Sequence, residues 1–232
     1  MIDGVIFDKD GTLFDFRNSW GRWTRSLLSE IGRDEAHVLR MAEAIGFDLG
    51  SGDFQPHSPV IAATGDDIAE ALLPHLPGTT HSGLASRVNR LSVEAELTPA
   101  VPLAPLLEAL RARDLRLGVA TNDVEAAARA HLAGAGVERL FDGIFGADSG
   151  HGTKPGPGML LAFARATGLP PARLLMVGDS AHDLMAGRAA GMRPVAVLTG
   201  VAGEDELSPL AEIVLPDIGA LPAWIDAQRQ TG

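Results

Sequence analysis

The chain has 232 residues, of which 46% are hydrophobic and 21% charged, enough apolar sequence to bury one large domain or two smaller ones. Its formal net charge of -11 argues against nucleic acid or an anionic membrane as the main partner. The chain has no cysteine, which excludes disulfides and thiolate metal sites. We see no signal peptide and no apolar run near the ~20 residues that span a bilayer, so we expect a cytoplasmic protein.

The first predicted element is a short buried strand at residues 5–7, and two acids follow it directly. The stretch VIFDKDGTLFD, residues 5–15, places Asp8 and Asp10 two positions apart. Two like charges about 4 Å apart repel by roughly 1 kcal/mol in water and by roughly 4 kcal/mol at an effective dielectric constant of about 20. A strand that only had to end would not need both acids, so something else must offset their repulsion.

Residues 15–96 contain no convincing parallel strand and show helical periodicity instead. Four segments have this pattern: 20–31, 35–45, 60–73 and 84–97. A turn-rich bridge, GSGDFQPHSP at 50–59, separates the second segment from the third, and the proline-rich stretch LTPAVPLAP at 97–105 is typical of a return hinge. We therefore expect a helical insertion between the first strand and the rest of the sheet.

Beyond the insertion, short apolar runs alternate with helical segments. The predicted strands are 117–120, 174–177 and 195–198, with further candidates at 144–145 and 213–215. The predicted helices are 103–113, 124–134, 158–167 and 181–190. This alternation predicts an α/β fold with a doubly wound, Rossmann-like parallel sheet.

Polar side chains follow the central predicted strands. Asp8 follows the first strand, Thr121 the next central strand and Asp179 the one after it. Asp183 comes four residues after Asp179, and Lys154 lies in the loop GTKPG just before a helix. Because ligands collect at the carboxyl ends of parallel strands, we expect these groups to meet at one edge of the sheet.

Together these groups suit phosphoryl transfer. Several converging carboxylates need a cation, and oxygen ligands without clustered histidine or cysteine favour Mg²⁺ over zinc. An aspartate is then the candidate nucleophile and would form an aspartyl-phosphate. A threonine hydroxyl, backbone N–H groups and a lysine would hold the phosphoryl oxygens, and a second aspartate could pass a proton to the leaving oxygen.

Each group taken alone also has a structural interpretation. Thr121 with Asn122 is typical of a turn or a helix cap, and Lys154 of a solvated surface lysine. Asp179 and Asp183 could cap and pair on one helix. It is their order along the chain, each near a strand end, that favours one shared site.

Four segments of the chain resemble the motifs of the haloacid dehalogenase superfamily of phosphohydrolases. They are DKDGTLFD at 8–15, VATN at 119–122, TKPGPGMLL at 153–161 and VGDSAHDLMAGRAAGM at 177–192. The stretch FDGIFGAD at 141–148 is also similar to the family's core. The resemblance covers nearly all of the predicted sheet region.

The resemblance implies a role for each carboxylate. Asp8 would be the nucleophile and a Mg²⁺ ligand, and Asp10 the general acid and base, with its backbone carbonyl on the metal. Asp179 would ligate Mg²⁺, and Asp183 would complete the metal site by orienting its water or ligands. The cation and the incoming phosphate would then offset the repulsion between the two neighbouring acids.

The resemblance also implies phosphate-binding roles for Thr121, Asn122 and Lys154. For the other end of a small acidic substrate such as phosphoglycolate, Arg17 and Arg22 are candidates, although both could instead be solvated positions on an amphipathic helix. Further candidates in the insertion are Arg25, His57, His75 and His81.

The insertion resembles the family's α-helical cap, which closes over the site, excludes water and selects the substrate. We accordingly expect an α/β core domain formed by residues 1–14 and 97–232 and an all-α cap domain formed by residues 15–96. The arrangement resembles phosphoglycolate phosphatases and their close relatives. We therefore expect a phosphatase that acts on a small phosphorylated metabolite, as a monomer or homodimer.

Single residues decide between several activities of the superfamily. Dehalogenases do not need the second acid, and Asp10 is present; phosphonatases need a cap lysine, and no lysine lies between Lys9 and Lys154. A phosphomutase of the beta-phosphoglucomutase type stays open, because it shares the whole core. A non-catalytic phosphate-binding regulatory module also stays open, although such a module would be expected to have lost a nucleophile, acid or metal ligand.

Overall fold

A computed structural model describes residues 2–55, 58–61 and 64–230 of the chain. It begins with strand β1, Gly4–Phe7, whose residues are all buried. The insertion follows and contains four helices and one short hairpin in its described part. These elements are α1 (Phe16–Ile31), α2 (Glu35–Ala44), β2 (Phe47–Asp48), β3 (Asp53–Phe54), α3 (Gly65–Leu72) and α4 (His81–Val93).

The four predicted helices of the insertion are present, and side-chain caps decide where several of them begin. Asp15 accepts a hydrogen bond from the backbone N–H of Asn18, so α1 begins at residue 16 rather than at residue 20. Thr64 forms a capping box with Asp67 at the start of α3, and Thr80 caps α4. The insertion also has a hydrophobic cluster of its own, formed mainly by side chains of its helices.

The sequence predicts an all-α insertion, and this prediction is wrong in one place, because the insertion also contains a short β-hairpin. β2 and β3 pair antiparallel, and of the two only β3 lies within the stretch 50–59 that was interpreted as a turn-rich bridge. Asp48 accepts hydrogen bonds from the N–H groups of Gly50 and Ser51 at 2.6 and 3.0 Å, and Gly52 has a φ of 78°, so the chain reverses tightly. Strands of two residues show no hydrophobic alternation, which is why the sequence pattern does not reveal them.

After the insertion, strands and helices alternate as predicted. The elements are α5 (Leu103–Arg111), β4 (Arg116–Ala120), α6 (Glu125–Gly134), β5 (Gly143–Phe145), α7 (Gly158–Thr167), β6 (Leu174–Gly178), α8 (Ala181–Ala189), β7 (Arg193–Val197), α9 (Glu204–Leu207), β8 (Ile213–Leu215) and α10 (Leu221–Gln230). Within the described ranges, no helix is long and apolar enough to cross a membrane.

Six strands form one parallel sheet in the order β5-β4-β1-β6-β7-β8. Alternate residues of the central strand β1 face opposite sides of this sheet. Val5 and Phe7 pack in a cluster with α5 and α10, whereas Ile6 packs in a second cluster with α7 and α8. Helices therefore cover both faces of the sheet, which confirms the predicted doubly wound α/β fold.

Candidate active site

The carboxyl ends of β1, β4 and β6 lie side by side, because these strands pair directly in register. Asp8 follows β1, Thr121 follows β4 and Asp179 follows β6. All three residues are buried. The structure thus places these polar groups at one edge of the sheet.

Three carboxylates form a cluster at this edge. Asp8, Asp179 and Asp183 each offer an oxygen within 4.8 Å of the others, and all three residues are buried. Ser180 holds Asp183: its backbone N–H and its hydroxyl donate to Asp183 Oδ2 at 3.0 and 2.7 Å. Thr12, to which the sequence analysis assigned no role, donates its hydroxyl to Asp179 Oδ1 at 3.0 Å.

Two glycines leave room for the carboxylate of Asp179. A Cβ atom at either Gly11 or Gly200 would overlap with that carboxylate, and Gly11 also has a φ of 85°. Gly11 belongs to a motif that the sequence analysis quoted. Gly200 lies in the loop after β7 and outside the quoted motifs, so the sequence does not indicate that it lies beside Asp179.

Lys154 lies inside the carboxylate cluster. Its Nζ donates to Asp8 Oδ1 at 2.6 Å and is 2.7 Å from Asp183 Oδ1. The side chain of Asn122 fixes the backbone of this lysine: Asn122 Nδ2 donates to Lys154 O at 3.0 Å, and Asn122 Oδ1 accepts from Lys154 N at 2.9 Å. Asn122 therefore positions Lys154.

The cluster carries more negative than positive charge. Burial raises the pKa of Asp8 to about 7, against the opposing effect of Lys154 and with additional repulsion from Asp183 and Asp10. Burial, followed by repulsion from Asp183 and Asp8, raises the pKa of Asp179 well above its usual range. Burial alone would lower the pKa of Lys154, but the charges of Asp183 and Asp8 raise it, so the lysine stays protonated.

The arrangement fits a divalent cation. Three buried carboxylates with one lysine leave an excess of negative charge, and repulsion among like charges is relieved when a metal ion binds between them. Oxygen donors from carboxylates suit hard cations. Asp8, Asp179 and Asp183 are the residues that would hold such an ion.

Asp10 and Thr121 line the same pocket as Asp8. The carboxylate of Asp10 is bound to Lys9, whose Nζ is 2.7 Å from Asp10 Oδ2 and 2.8 Å from Asp10 Oδ1. The hydroxyl of Thr121 accepts a hydrogen bond from the N–H of Asp123 at 3.1 Å. Lys9 is fully buried, although the sequence analysis assigned it no role.

Arg17 and Arg22 do not line this pocket, so their contact with a substrate stays a prediction. Arg17 is exposed and pairs with Asp53, and Arg22 donates to Thr98 Oγ1 at 3.2 Å. The helical period of α1 is the reason: the face that includes Trp20 is buried, so both arginines lie on the exposed face.

The further candidates in the insertion also lie elsewhere. Arg25 is placed over the ring of Phe47, 5.6 Å from its centroid. His75 and His81 are not among the described residues that line the pocket. His57 lies outside the described residues.

The pocket extends from the carboxylate cluster to the helices of the insertion. Its insertion side includes the apolar side chains of Phe16, Trp20, Trp23, Ile68 and Val88. Its core side consists mainly of the polar strand-end groups. A ligand in this pocket would therefore contact the cluster at one end and α1, α3 and α4 at the other.

Comparisons with known proteins agree with this fold. A model of the haloacid dehalogenase-like hydrolase family matches residues 2–191. A phosphoglycolate phosphatase of Rhodospirillum rubrum is 38% identical over 100% of this chain and 94% of its own length.

Two solved structures resemble the fold. The crystal structure of a predicted phosphoglycolate phosphatase from Haemophilus somnus 129PT has a TM-score of 0.72 at 21% identity, covering 97% of this chain and 98% of that one. A beta-phosphoglucomutase from Clostridium difficile has a TM-score of 0.66 at 19% identity, covering 100% and 98%. Likeness at such low identity concerns the fold alone. The family match and the full-length sequence relative carry more weight, and together they confirm the resemblance seen in the motifs: the chain belongs to the haloacid dehalogenase-like hydrolases.

Proposed function

We propose that the protein is a Mg²⁺-dependent phosphatase that hydrolyses a small phosphomonoester through an aspartyl-phosphate on Asp8. The main support is the buried cluster of Asp8, Asp179 and Asp183 with Lys154, which lines one end of a pocket. When bound to these carboxylates, Mg²⁺ would neutralise their charge and polarise the phosphoryl oxygens. Lys154 and Thr121 would hold the same oxygens from the protein side.

In this proposal Asp8 is the nucleophile that attacks the phosphate. A carboxylate oxygen of Asp8 forms a bond to phosphorus while the ester P–O bond breaks, and Asp10 gives its proton to the leaving oxygen. A water molecule then attacks the phosphorus and gives its proton back to Asp10. The bond between Asp8 and phosphorus breaks in this step, which releases inorganic phosphate and restores both acids.

We further propose that residues 15–96 act as a cap domain over a core domain formed by residues 1–14 and 97–232. The insertion has its own hydrophobic cluster and supplies the apolar side of the pocket. A cap of this kind would exclude water while the phosphoryl group moves to the enzyme.

A full-length relative is named as a phosphoglycolate phosphatase, so phosphoglycolate is one of the esters on which this proposal is to be tested. The two other candidate functions have less support. A phosphomutase is favoured only by a likeness of fold, and a non-catalytic module is disfavoured because Asp8, Asp10 and Asp179 are all present. We therefore keep the proposal at the level of a phosphomonoesterase.

Release of inorganic phosphate from p-nitrophenyl phosphate is expected to require Mg²⁺. A chelator should abolish the activity, and added Mg²⁺ should restore it, because the carboxylates of the cluster otherwise repel the incoming phosphate. Activity that persists undiminished in the chelator would contradict the proposal. Conversion of one sugar phosphate isomer into another without phosphate release would favour the mutase instead.

A further inference from the structure

The pocket beside the carboxylate cluster has an uncharged half. The side formed by α1, α3 and α4 consists mainly of aromatic and aliphatic side chains, and its polar members Asn89 and Ser92 are neutral. Among the described residues that line the pocket, the basic side chains are Lys154 and His182, and both belong to the core side. From the described residues, a substrate therefore meets positive charge at its phosphate end and none at the other end.

The insertion does contain arginines, but the described structure places none of them in this pocket. On α1, Arg17 pairs with Asp53, Arg22 donates to Thr98, and Arg25 lies over the ring of Phe47. On α4, Arg87 and Arg90 face Glu30. The side chains of Arg33 and Arg40 are exposed to solvent. Within the described part of the insertion, the arginines of the helices thus lie outside the uncharged half.

A carboxylate in this half would lose its hydration without gaining a cation. Asp10 and Asp123, which also line the pocket, share the single cation of Lys9, so a net negative charge remains there that would repel a carboxylate. The indole Nε1 atoms of Trp20 and Trp23 are buried and have no hydrogen-bond partner in the described part of the chain. Indole rings suit a flat or aliphatic group, and their N–H groups suit a hydrogen-bond acceptor on that group.

We propose that the leaving group of the natural ester is an uncharged, largely apolar alcohol, and that esters with a carboxylate in this position are poor substrates. Phosphoglycolate is one of these poor substrates. The inference rests on the proposed phosphatase function and narrows its substrate class. It follows from the charge of the pocket rather than from the names of the relatives.

Two pairs of esters that differ mainly in one charge test this inference. They are phenyl phosphate with 4-carboxyphenyl phosphate, and 2-hydroxyethyl phosphate with phosphoglycolate. With the wild-type protein and Mg²⁺, kcat/KM is expected to be about 100-fold higher for the uncharged member of each pair. Equal values or a preference for the carboxylates would overturn the inference while leaving the phosphatase proposal intact. Failure to release phosphate from any ester would overturn both.

Ile61→Arg tests the same inference by adding a cation to the uncharged half. Ile61 lines the pocket and is only partly buried, so a cation placed at this position would lie at the edge of the uncharged half. The preference in each pair is expected to shift about tenfold toward the carboxylate member. Ile61→Gln is the matched control, polar but uncharged, and should shift the preference little. Equal preferences in the two variants would show that charge in this half does not select the substrate.

A separate observation concerns the buried lysine beside Asp10. Lys9 Nζ contacts both carboxylate oxygens of Asp10, lies 3.2 Å from Asp123 Oδ2 and 3.2 Å from His131 Nδ1, and is 5.3 Å from the ring centroid of Trp20. Lys9 is fully buried, so these groups define its position. The contacts come from the loops after β1 and β4, from α6 and from α1.

The partners of Lys9 also reach α4 of the insertion. His131 Nε2 donates to the backbone oxygen of Ser92 at 2.8 Å, which leaves Nδ1 to accept from Lys9. The hydroxyl of Ser92 donates to Asp123 Oδ1 at 3.2 Å. The network therefore connects Asp10 to two helices of the insertion.

We infer that Lys9 is a positioning residue, which holds the Asp10 carboxylate where it can give its proton to the leaving oxygen. It also ties that carboxylate to the packing of α1 and α4 against the core. This inference rests on the proposed role of Asp10 and does not depend on the substrate class.

Lys9→Met is expected to impair esters according to their leaving group. The leaving group of 2-hydroxyethyl phosphate needs a proton, so kcat for this ester should fall about 100-fold. The leaving group of p-nitrophenyl phosphate needs little protonation, so kcat for that ester should fall less than about tenfold. A purely structural role would reduce both rates equally, and equal losses would overturn the inference. Retained turnover of p-nitrophenyl phosphate shows that phosphoryl transfer itself is intact.

His131→Leu is a milder second variant in case Lys9→Met does not fold. It removes one acceptor of Lys9 and leaves the charges of Asp10 and Asp123 paired. The same dependence on the leaving group is expected, with smaller losses. Equal losses on the two esters in a folded His131→Leu protein would also overturn the inference.

Discussion

Asp8→Asn is expected to reduce phosphate release by about 10⁴-fold or more while leaving the protein folded. The amide of asparagine lacks the anionic oxygen that would bond to phosphorus, and the cluster with Asp179 and Asp183 loses one charge. The fold should persist, because burial already raises the pKa of Asp8 to about 7 and a neutral side chain therefore suits the position. Phosphate release and the melting temperature, measured on the same preparation, test both parts.

The pKa of Asp8 also gives the sign of the stability change. A carboxyl whose pKa is higher in the folded state than in the unfolded state contributes stability at low pH and loses it as the pH rises through the folded value. Above about pH 7, metal-free Asp8→Asn should therefore be at least as stable as wild type.

Asp226→Asn is the matched control for this variant. Its hydrogen bonds to Arg113 lower the pKa of Asp226, so this substitution should lower stability slightly without affecting turnover. Near-normal turnover by Asp8→Asn would contradict the mechanism.

The sheet and its functional edge are predictable because they depend on local patterns. β1 and β6 are covered on both faces, so each is a short continuous apolar run. Asp8 and Asp179 follow these runs directly, and a parallel sheet brings such positions together. Lys154 is further along the chain from either strand, but its loop lies between two sheet strands and returns to the same edge.

The charges around the pocket were harder to predict, because their positions depend on tertiary packing. Arg17 and Arg22 are close in sequence to the first motif, yet the buried face of α1 turns them away from the pocket. Lys9 lies between two acids, and only the fold shows that Asp123 and His131 surround it. A charged residue in a motif therefore says little about its partners until the elements that pack against it are known.

Lys154→Met is expected to lower the stability of the metal-free protein and to make that stability depend strongly on Mg²⁺. Lys154 Nζ lies 2.6 Å from Asp8 Oδ1 and 2.7 Å from Asp183 Oδ1, and all three residues are buried. Removing one partner of a buried ion pair costs about 3–5 kcal/mol. For a chain of this size that corresponds to a fall of about 10 °C in melting temperature.

The pH dependence of this loss follows from the same carboxylates. Burial raises the pKa of Asp8 to about 7, so Asp8 takes up a proton as the pH falls, and its neutral carboxyl no longer needs the lysine. The difference in melting temperature between wild type and Lys154→Met should therefore be larger near about pH 8 than near about pH 6.

The other lysine of the chain provides the control for the effect of Mg²⁺. In the metal-free protein Lys154 supplies positive charge that a bound cation can also supply, so Mg²⁺ should raise the melting temperature of Lys154→Met more than that of wild type. Lys9→Met also leaves two partly buried acids, Asp10 and Asp123, without their lysine. Neither acid offers a carboxylate to the described three-carboxylate cluster, so Mg²⁺ should not compensate for that loss. Equal recovery of both variants would show that Mg²⁺ stabilises the protein from somewhere other than the site beside Asp8.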